Sequence, residues 1–204
     1  TGIGVAIGGV TALGVALADG TKKAIELDTE VRNIGSLGVQ NFERFGAISK
    51  DLSTRIPQTA AEIAKGTYQA ISSGISESQA TQFVETAAKA GVAGLSSTET
   101  AVNALSSVVN AYKLEASQAG AVSDQMFTAV KRGKTTFEEI NSAIAQIVPV
   151  AASAGVGFDQ VSAAIATMTK QGIPTAQAST QMRQAIVELL KPGDDLAKRS
   201  EEHT

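Results

Sequence analysis

The chain has 204 residues, enough for one large domain or two small ones, with a formal net charge of -3 and 4% aromatic residues. Its basic residues are scattered, and the densest group is Lys131, Arg132 and Lys134, which suits the C-terminus of a helix. The concentrated basic surface typical of nucleic-acid binding is missing, so sequence-specific nucleic-acid binding is not expected. The lack of cysteine excludes disulfides, zinc–thiolate sites and cysteine nucleophiles.

The chain opens with an apolar, glycine-rich run over residues 2–18, interrupted only by Thr11. Its length is near the lower limit for a membrane-spanning helix, and Gly4 and Gly8 have the spacing of close helix contacts. Two interpretations stay open: a buried or self-associating helix in a large assembly, or a segment that contacts a membrane. Asp19 and Gly20 are expected to end this helix.

Two linking helices are predicted over residues 21–56, where apolar residues recur three or four positions apart. Pro57 follows Ile56, and a residue before proline disfavours the helical conformation while proline itself suits a first helical turn. A boundary is therefore predicted near Ile56, with Pro57 opening a helix that runs to about Ser73.

Six later segments begin with one short pattern, namely a small or polar residue, usually an apolar residue, and a helix-capping position. They are Gly74-Ile75-Ser76, Gly94-Leu95-Ser96, Lys113-Leu114-Glu115, Lys134-Thr135-Thr136, Gly155-Val156-Gly157 and Gly172-Ile173-Pro174. Three of them continue with the spacing of a capping box, in which two side chains satisfy backbone N–H groups reciprocally. The predicted boxes are Ser76–Gln79, Ser96–Glu99 and Thr136–Glu139.

Each of these segments then carries an apolar stripe with helical spacing and no strand-like alternation. The fourth stripe is Ile140, Ala143, Ile144, Ile147, Val148 and Ala151, and the last is Ala178, Met182, Ala185, Ile186 and Leu189. Helices this short are marginal alone and must bury their stripes against one another. Pro149 predicts a kink in the fourth helix or its division into two.

The expected fold is therefore all-α, a series of short antiparallel helices packed as an irregular helical bundle, preceded by an apolar Gly-rich N-terminal helix. Four glycines suit left-handed positions at helix C-termini. They are Gly91, Gly94, Gly155 and Gly172. A simple bundle is favoured over a solenoid because the helix bodies differ from one another although their starts are alike.

No set of residues in the sequence assembles an active site. The one histidine, His203, has no second histidine with which to form a metal site, and no phosphate-binding loop motif occurs. Three pairs of carboxylates are adjacent in sequence, so on a helix they point about 100° apart and cannot flank one bond. They are Glu138/Glu139, Asp194/Asp195 and Glu201/Glu202. The sequence predicts a protein that is not an enzyme, with no catalytic residues, no metal site and no cofactor.

The region from about Thr54 to Pro192 resembles the core of phage tail tape measure proteins of the TP901 type. The order and spacing of several stretches carry the resemblance, together with the proline at position 149. These stretches are residues 55–64, 74–80, 134–140, 147–156, 161–173 and 185–190. The apolar Gly-rich segment before the core also recurs in that family.

The resemblance implies a structural virion protein in the lumen of the tail tube, which sets tube length during tail assembly and is released at genome ejection. It implies contacts with the tail tube protein, other tail components and tail assembly chaperones, together with self-association. It also implies assembly in the host cytoplasm and entry of apolar segments into the host envelope. The alternative is a membrane-inserting or pore-forming helical protein that uses residues 2–18.

The expected organisation has four parts. Residues 1–20 form the apolar segment, 21–56 the linking helices, 57–192 the helical core and 193–204 a charged C-terminal tail. The chain starts without an initiator methionine and finishes in a charged run, so it is interpreted as a piece of a longer protein.

Overall fold

The computed structural model describes the backbone of residues 3–190 and the side chains of residues 20–190. This part of the chain contains nine α-helices and one short 3-10 turn, Ala116–Gln118, and no strand, which confirms the all-α prediction. The helices are α1 Ile3–Ser36, α2 Arg44–Arg55, α3 Ala60–Ser72, α4 Glu77–Ala93, α5 Thr98–Ala111, α6 Ala119–Arg132, α7 Phe137–Ser153, α8 Phe158–Lys170 and α9 Thr175–Leu190.

The helices stack in two rows. The odd row contains α1, α3, α5, α7 and α9, each packed against the next, and the even row contains α2, α4, α6 and α8. Hydrogen bonds between helix ends show that neighbours within a row are parallel. Asn110, near the end of α5, donates to the carbonyl of Ser73 after α3 at 2.7 Å, and Thr175 and Thr135, beside the starts of α9 and α7, bond at 2.7 Å.

Because short turns join them, consecutive helices are antiparallel. The bundle therefore has an upper end, where α3, α5, α7 and α9 begin and α4, α6 and α8 finish, and a lower end, where the reverse holds. The predicted antiparallel bundle is confirmed, and the alternation between two rows is a regularity that the sequence did not predict.

One main apolar core runs through α2 to α8, and two smaller clusters attach α1 to it. Small side chains let the helices approach closely. A methyl group added to Gly66 of α3 would lie 2.6 Å from Cγ2 of Thr98 at the start of α5, closer than atoms in proteins pack. The core is thus built mainly from alanine and aliphatic side chains, with only three fully buried phenylalanines, Phe45, Phe83 and Phe137.

The first helix does not end where the sequence suggested. α1 is one continuous helix of 34 residues, so the predicted end at Asp19 and Gly20 is wrong. A glycine inside a helix costs only about 1 kcal/mol relative to alanine, and burial of the later residues Leu27, Val31 and Ile34 outweighs that cost. None of the described helices has the length and apolar composition that crossing a membrane requires.

α1 is much longer than the helix it packs against. It exceeds α3, which has 13 residues, by about 30 Å at 1.5 Å per residue. Leu27 and Val31 cluster with Ala64, and Ile34 packs farther along with Tyr68. α1 is therefore parallel to α3, and most of its first half lies beyond the start of α3 at the upper end.

The boundary near Ile56 is confirmed, but Pro57 does not open α3. Thr59 is the capping residue. Its hydroxyl accepts from the N–H of Glu62 at 3.2 Å, and the Glu62 carboxylate accepts from the N–H of Thr59 at 2.8 Å. A capping box satisfies two backbone donors, whereas proline in the first turn only removes one, so the box determines where the helix starts.

One of the three predicted capping boxes forms as expected. At the start of α7, Thr136 and Glu139 make both reciprocal bonds, at 3.2 and 2.9 Å. The box at Ser76 is wrong, because its hydroxyl bonds the Gln79 side chain at 2.8 Å and no backbone N–H. The box at Ser96 is also wrong, because the cap is one residue later and is a single bond, in which Ser97 accepts from the N–H of Thr100.

The shifted cap coincides with an unusual turn between α4 and α5. Gly155 and Gly172 adopt left-handed conformations as predicted, with φ of 73° and 96°. Between α4 and α5, however, Leu95 takes that position with φ of 52°, and Gly91 lies inside α4. Gly94 serves another purpose, because a methyl group there would lie 2.6 Å from the ring of Phe137 in α7.

Two further expectations concern α7 and α9. α7 continues through Pro149 as a single helix, so its division into two is wrong; the stripe residues Ile147, Val148 and Ala151 around the proline are all buried. In α9 the predicted buried stripe is wrong in part, because Ala185 and Leu189 are exposed. α9 ends the described row and has a row neighbour on one side only.

Candidate interaction surface

The adjacent carboxylates Glu138 and Glu139 have separate environments at the start of α7. Both residues are exposed, but only Glu139 accepts from the backbone N–H of Thr136 and from the hydroxyl of Thr135, the latter at 3.1 Å. The hydroxyl of Thr175 also points to Glu139, at 3.4 Å, so this carboxylate is committed to holding α7 and α9 together. Asp194, Asp195, Glu201, Glu202 and His203 lie outside the described residues.

Within residues 20–190, no three histidine or carboxylate side chains come together as a metal site would need. Most buried hydroxyls bond a carbonyl one turn earlier in their own helix, as Thr67 does with Ile63 at 3.0 Å, but one of them also joins two helices. Thr169 of α8 is 1% exposed, and its hydroxyl accepts from the N–H of Lys134 at 3.2 Å, which joins the ends of α6 and α8. Neither this group nor the cluster at Glu139 has the nucleophile and base of a catalytic site, and the lack of catalytic residues stays a prediction.

A groove with a volume of about 810 Å³ lies between α6 and α8. Its floor is alanine, namely Ala129, Ala163 and Ala166, and its walls carry polar and charged side chains. Those polar lining residues are Gln125, Thr128, Lys131, Arg132, Asp159, Ser162, Thr167 and Lys170. We call this feature the α6–α8 groove.

Three cations line the upper part of the groove. Lys131 and Arg132 lie in the last turn of α6, which confirms the predicted position of that basic group at a helix C-terminus. Lys170 lies in the last turn of α8. Because α6 and α8 are parallel, their last turns are side by side, and Gly133 permits this, since a methyl group there would lie 2.5 Å from the Thr169 hydroxyl.

Several cations in the first half of the molecule pair with carboxylates, as in Lys65–Glu99 at 2.7 Å and Lys89–Glu85 at 2.7 Å, whereas Lys50 has no such pair among the described residues. The hydrogen bond from Lys89 lowers the pKa of Glu85, as does its nearby charge. Among the described residues, no carboxylate pairs with Lys131, Arg132 or Lys170.

The sequence identified Lys131 and Arg132 as a basic group but did not connect them with Lys170. The chain separates these residues by almost forty positions, and only the parallel packing of α6 and α8 brings them together. A signal was present, because both helices finish with cations just before Gly133 or Gly172. These cations could be assigned to one surface only once α6 and α8 were known to be neighbours.

Comparisons with known proteins agree on one kind of virion component. A family model described as phage-related minor tail protein matches residues 46–203. A probable tape measure protein of Clostridium phage phiCD119 is 34% identical over 191 residues, covering 90% of this chain and 20% of the relative. The tape measure protein of Pneumococcus phage Dp-1 is 26% identical over 178 residues, covering 85% of this chain and 15% of the relative.

The chain therefore spans a fifth or less of the length of these curated relatives. No solved structure matches it.

Proposed function

Since the chain belongs to the phage-related minor tail protein family, we propose that it is part of a tape measure protein that sets tail tube length during assembly and leaves the tail at genome ejection. The observation that carries the proposal is similarity over 90% and 85% of the chain to two relatives named as tape measure proteins. The role of this chain in the phage tail is structural.

The described region contributes a compact module to that protein. Residues 60–190 laid out as one helix would extend to about 200 Å, whereas the helices of the two rows, 12 to 17 residues long apart from α1, are only about 18–25 Å each. Two rows of short helices therefore extend far less per residue than one continuous helix. We infer that the part of the full protein that sets tube length lies outside this module.

The test uses the phage that encodes this chain, with substitutions made in its full-length protein. Ile144→Asp introduces a charge at a side chain that is 1% exposed, so it should unfold the module and abolish normal tails. Glu138→Ala changes an exposed side chain of the same helix and serves as the matched control. Electron microscopy of lysates measures the number and length of tails. Tails of wild-type number and length from the Ile144→Asp phage would contradict the proposal.

We place the protein in the tail tube lumen, in contact with the tail tube protein and other tail components, after handling by tail assembly chaperones. Its similarity to phage tail proteins supports a place in the tail, and access of a protease to the protein tests the lumen. Intact tails should protect the protein from added protease, and triggered ejection should release it. Digestion in intact tails, with the tube protein unaffected, would contradict the lumenal location.

This region has no catalytic function in the proposal, which its similarity to structural tail proteins supports. A cell-wall hydrolysis assay with the purified chain should show no activity, with a known muramidase as the positive control. Clearing that depends on Glu138 or Glu139 would overturn this part of the proposal.

A further inference from the structure

The α6–α8 groove is a surface feature that a structural module does not need for its own packing. α6 and α8 already approach closely at Gly133, where an added methyl group would lie 3.0 Å from Cα of Ala166, and the groove extends from this contact along both helices. Its rim residues Lys131, Arg132 and Lys170 are all exposed. Helix dipoles favour cations at helix C-termini, but they do not explain an open groove between them.

Charge is the second observation. Another even-row helix, α2, also finishes with a cation, Arg55, yet that guanidinium bonds Asp51 at 2.6 Å and Glu85 at 3.4 Å. The cations of the α6–α8 groove have no such partner among the described residues. The groove has three cations towards the upper end and one carboxylate, Asp159, towards the lower end. The groove therefore attracts negatively charged groups at its upper end and not along its whole length.

We propose that the α6–α8 groove binds an acidic α-helix of another protein chain. The alanine floor allows the backbone of an incoming helix to approach closely, as small side chains do at helix–helix contacts. The lining residues extend from Asp159 to Lys170 along α8, about 16 Å or three helical turns. A helix of that length with carboxylates in its first turns matches both the shape and the charge.

The dipoles set the orientation of the bound helix. α6 and α8 both finish at the upper end, where their C-termini carry partial negative charge. An incoming helix that starts at the upper end brings its partial positive N-terminus beside them. It also brings its first-turn carboxylates beside Lys131, Arg132 and Lys170, and it runs antiparallel to both helices. Nucleic acid fits less well, because three cations neutralise few phosphates and Asp159 repels the rest.

The experiment measures binding of a fluorescent alanine-based helical peptide with glutamates in its first two turns to the purified 204-residue chain. The matched probe replaces each glutamate by glutamine. The glutamate peptide should bind at least about tenfold more tightly than the glutamine peptide, and added salt should weaken it. The triple change Lys131→Glu, Arg132→Glu and Lys170→Glu should lower its affinity about tenfold or more.

A second variant tests the groove shape apart from its charge. Ala163 is an exposed residue of the floor, so Ala163→Trp fills the groove without disturbing the core and should also lower affinity about tenfold. The controls are Lys113→Glu, an exposed cation at the lower end, and Ala145→Trp, on the exposed face of α7. Both controls should bind within about twofold of the parent chain. Melting curves check that all variants are folded.

Three results would overturn the inference. They are equal binding of the glutamate and glutamine peptides, unchanged binding by Ala163→Trp, and tighter binding of a DNA duplex than of the glutamate peptide with the same dependence on the three cations. The measurement uses the isolated chain and no tails. Its failure would therefore leave the tape measure proposal intact, and the tail phenotype of Ile144→Asp would leave the groove inference intact.

Discussion

Helices α7 and α9 are parallel neighbours in one row, with 17 and 16 residues, yet they bury very different surfaces. Both carry an apolar stripe in the sequence. Every residue of the α7 stripe is buried, whereas in α9 Ala178 alone is buried and Leu189 is 82% exposed. α7 lies between α5 and α9 and against α6 and α8, while α9 packs mainly against α7 and α8.

The two helices also differ in how they are held at their starts. α7 begins with a capping box and with Phe137, which is 2% exposed and packs on the backbone of Gly94. α9 is attached by the hydroxyl of Thr175, which donates to Thr135, and by the buried residues Ala178 and Ser179. An apolar stripe thus predicts that a helix forms and which face is apolar, but the number of neighbours decides how much of that face is buried.

The largest expected effect comes from placing the same charge in both stripes. Ile144→Asp in α7 should destabilise the chain by more than about 4 kcal/mol, because the carboxylate would be buried without a partner. Leu189→Asp in α9 should change stability by less than about 0.5 kcal/mol, since that side chain is exposed. Urea unfolding followed by circular dichroism measures both, with Glu138→Ala as a neutral control in α7. Equal midpoints for the two aspartate variants would break the comparison.

A smaller effect is expected at the contact that fixes the start of α7. Gly94→Ala should destabilise by about 2 kcal/mol, because the new methyl group would lie 2.6 Å from Cγ of the buried Phe137 ring. Gly120→Ala is the matched change in α6, where nothing lies within 4 Å, and it should stabilise by about 0.5 kcal/mol. Thermal melts of the two variants should move in opposite directions. A shift of the same sign would show that the Phe137 ring does not limit the space at Gly94.

The capping box at the start of α7 should contribute less to stability than the contact between Gly94 and Phe137. Thr136→Ala removes the hydroxyl that accepts from the N–H of Glu139, at a cost of about 1 kcal/mol. Ser76→Ala is the control at the start of α4, where the hydroxyl bonds only side chains, so its cost should be under about 0.5 kcal/mol. Denaturant midpoints compare the two. A larger loss for Ser76→Ala would mean that the cap is not what fixes the start of α7.

The smallest effect on stability is expected from shortening α1. A chain beginning at Thr21 retains Leu27, Val31 and Ile34, which are buried in the second half of this helix, so its cooperative melting should be unchanged. The apolar run over residues 2–18 is predicted to govern self-association or membrane contact, so the shorter chain should be more soluble and less associated. Analytical ultracentrifugation and liposome leakage, with and without the run, test both. Loss of cooperative melting in the shorter chain, with the longer one a stable monomer, would show that the run is part of the core.

Much of the fold could be predicted locally. The stripe of α7 and the box at Thr136 and Glu139 each depend on residues a few positions apart, and the structure confirms them. The wrong predictions concern features that depend on residues far away in the sequence. In the turn between α4 and α5 the left-handed residue is Leu95, one position after Gly94, and Phe137, more than forty residues away, packs on Gly94. Of the three groove cations, the sequence identified Lys131 and Arg132 as one basic group. Lys170 lies beside them only because α6 and α8 pack together.

The sequence by itself determined that the chain is helical, where most helices begin and end, which faces are apolar and which family it resembles. These features follow from hydrogen bonds and side-chain spacing within one or two turns, so local residues are enough to specify them. Only the tertiary structure decided that alternate helices are parallel neighbours, that α9 stays half exposed and that three cations share one groove. Those features depend on which surfaces meet after the chain folds back, and the same apolar stripe is compatible with many neighbours until packing selects one.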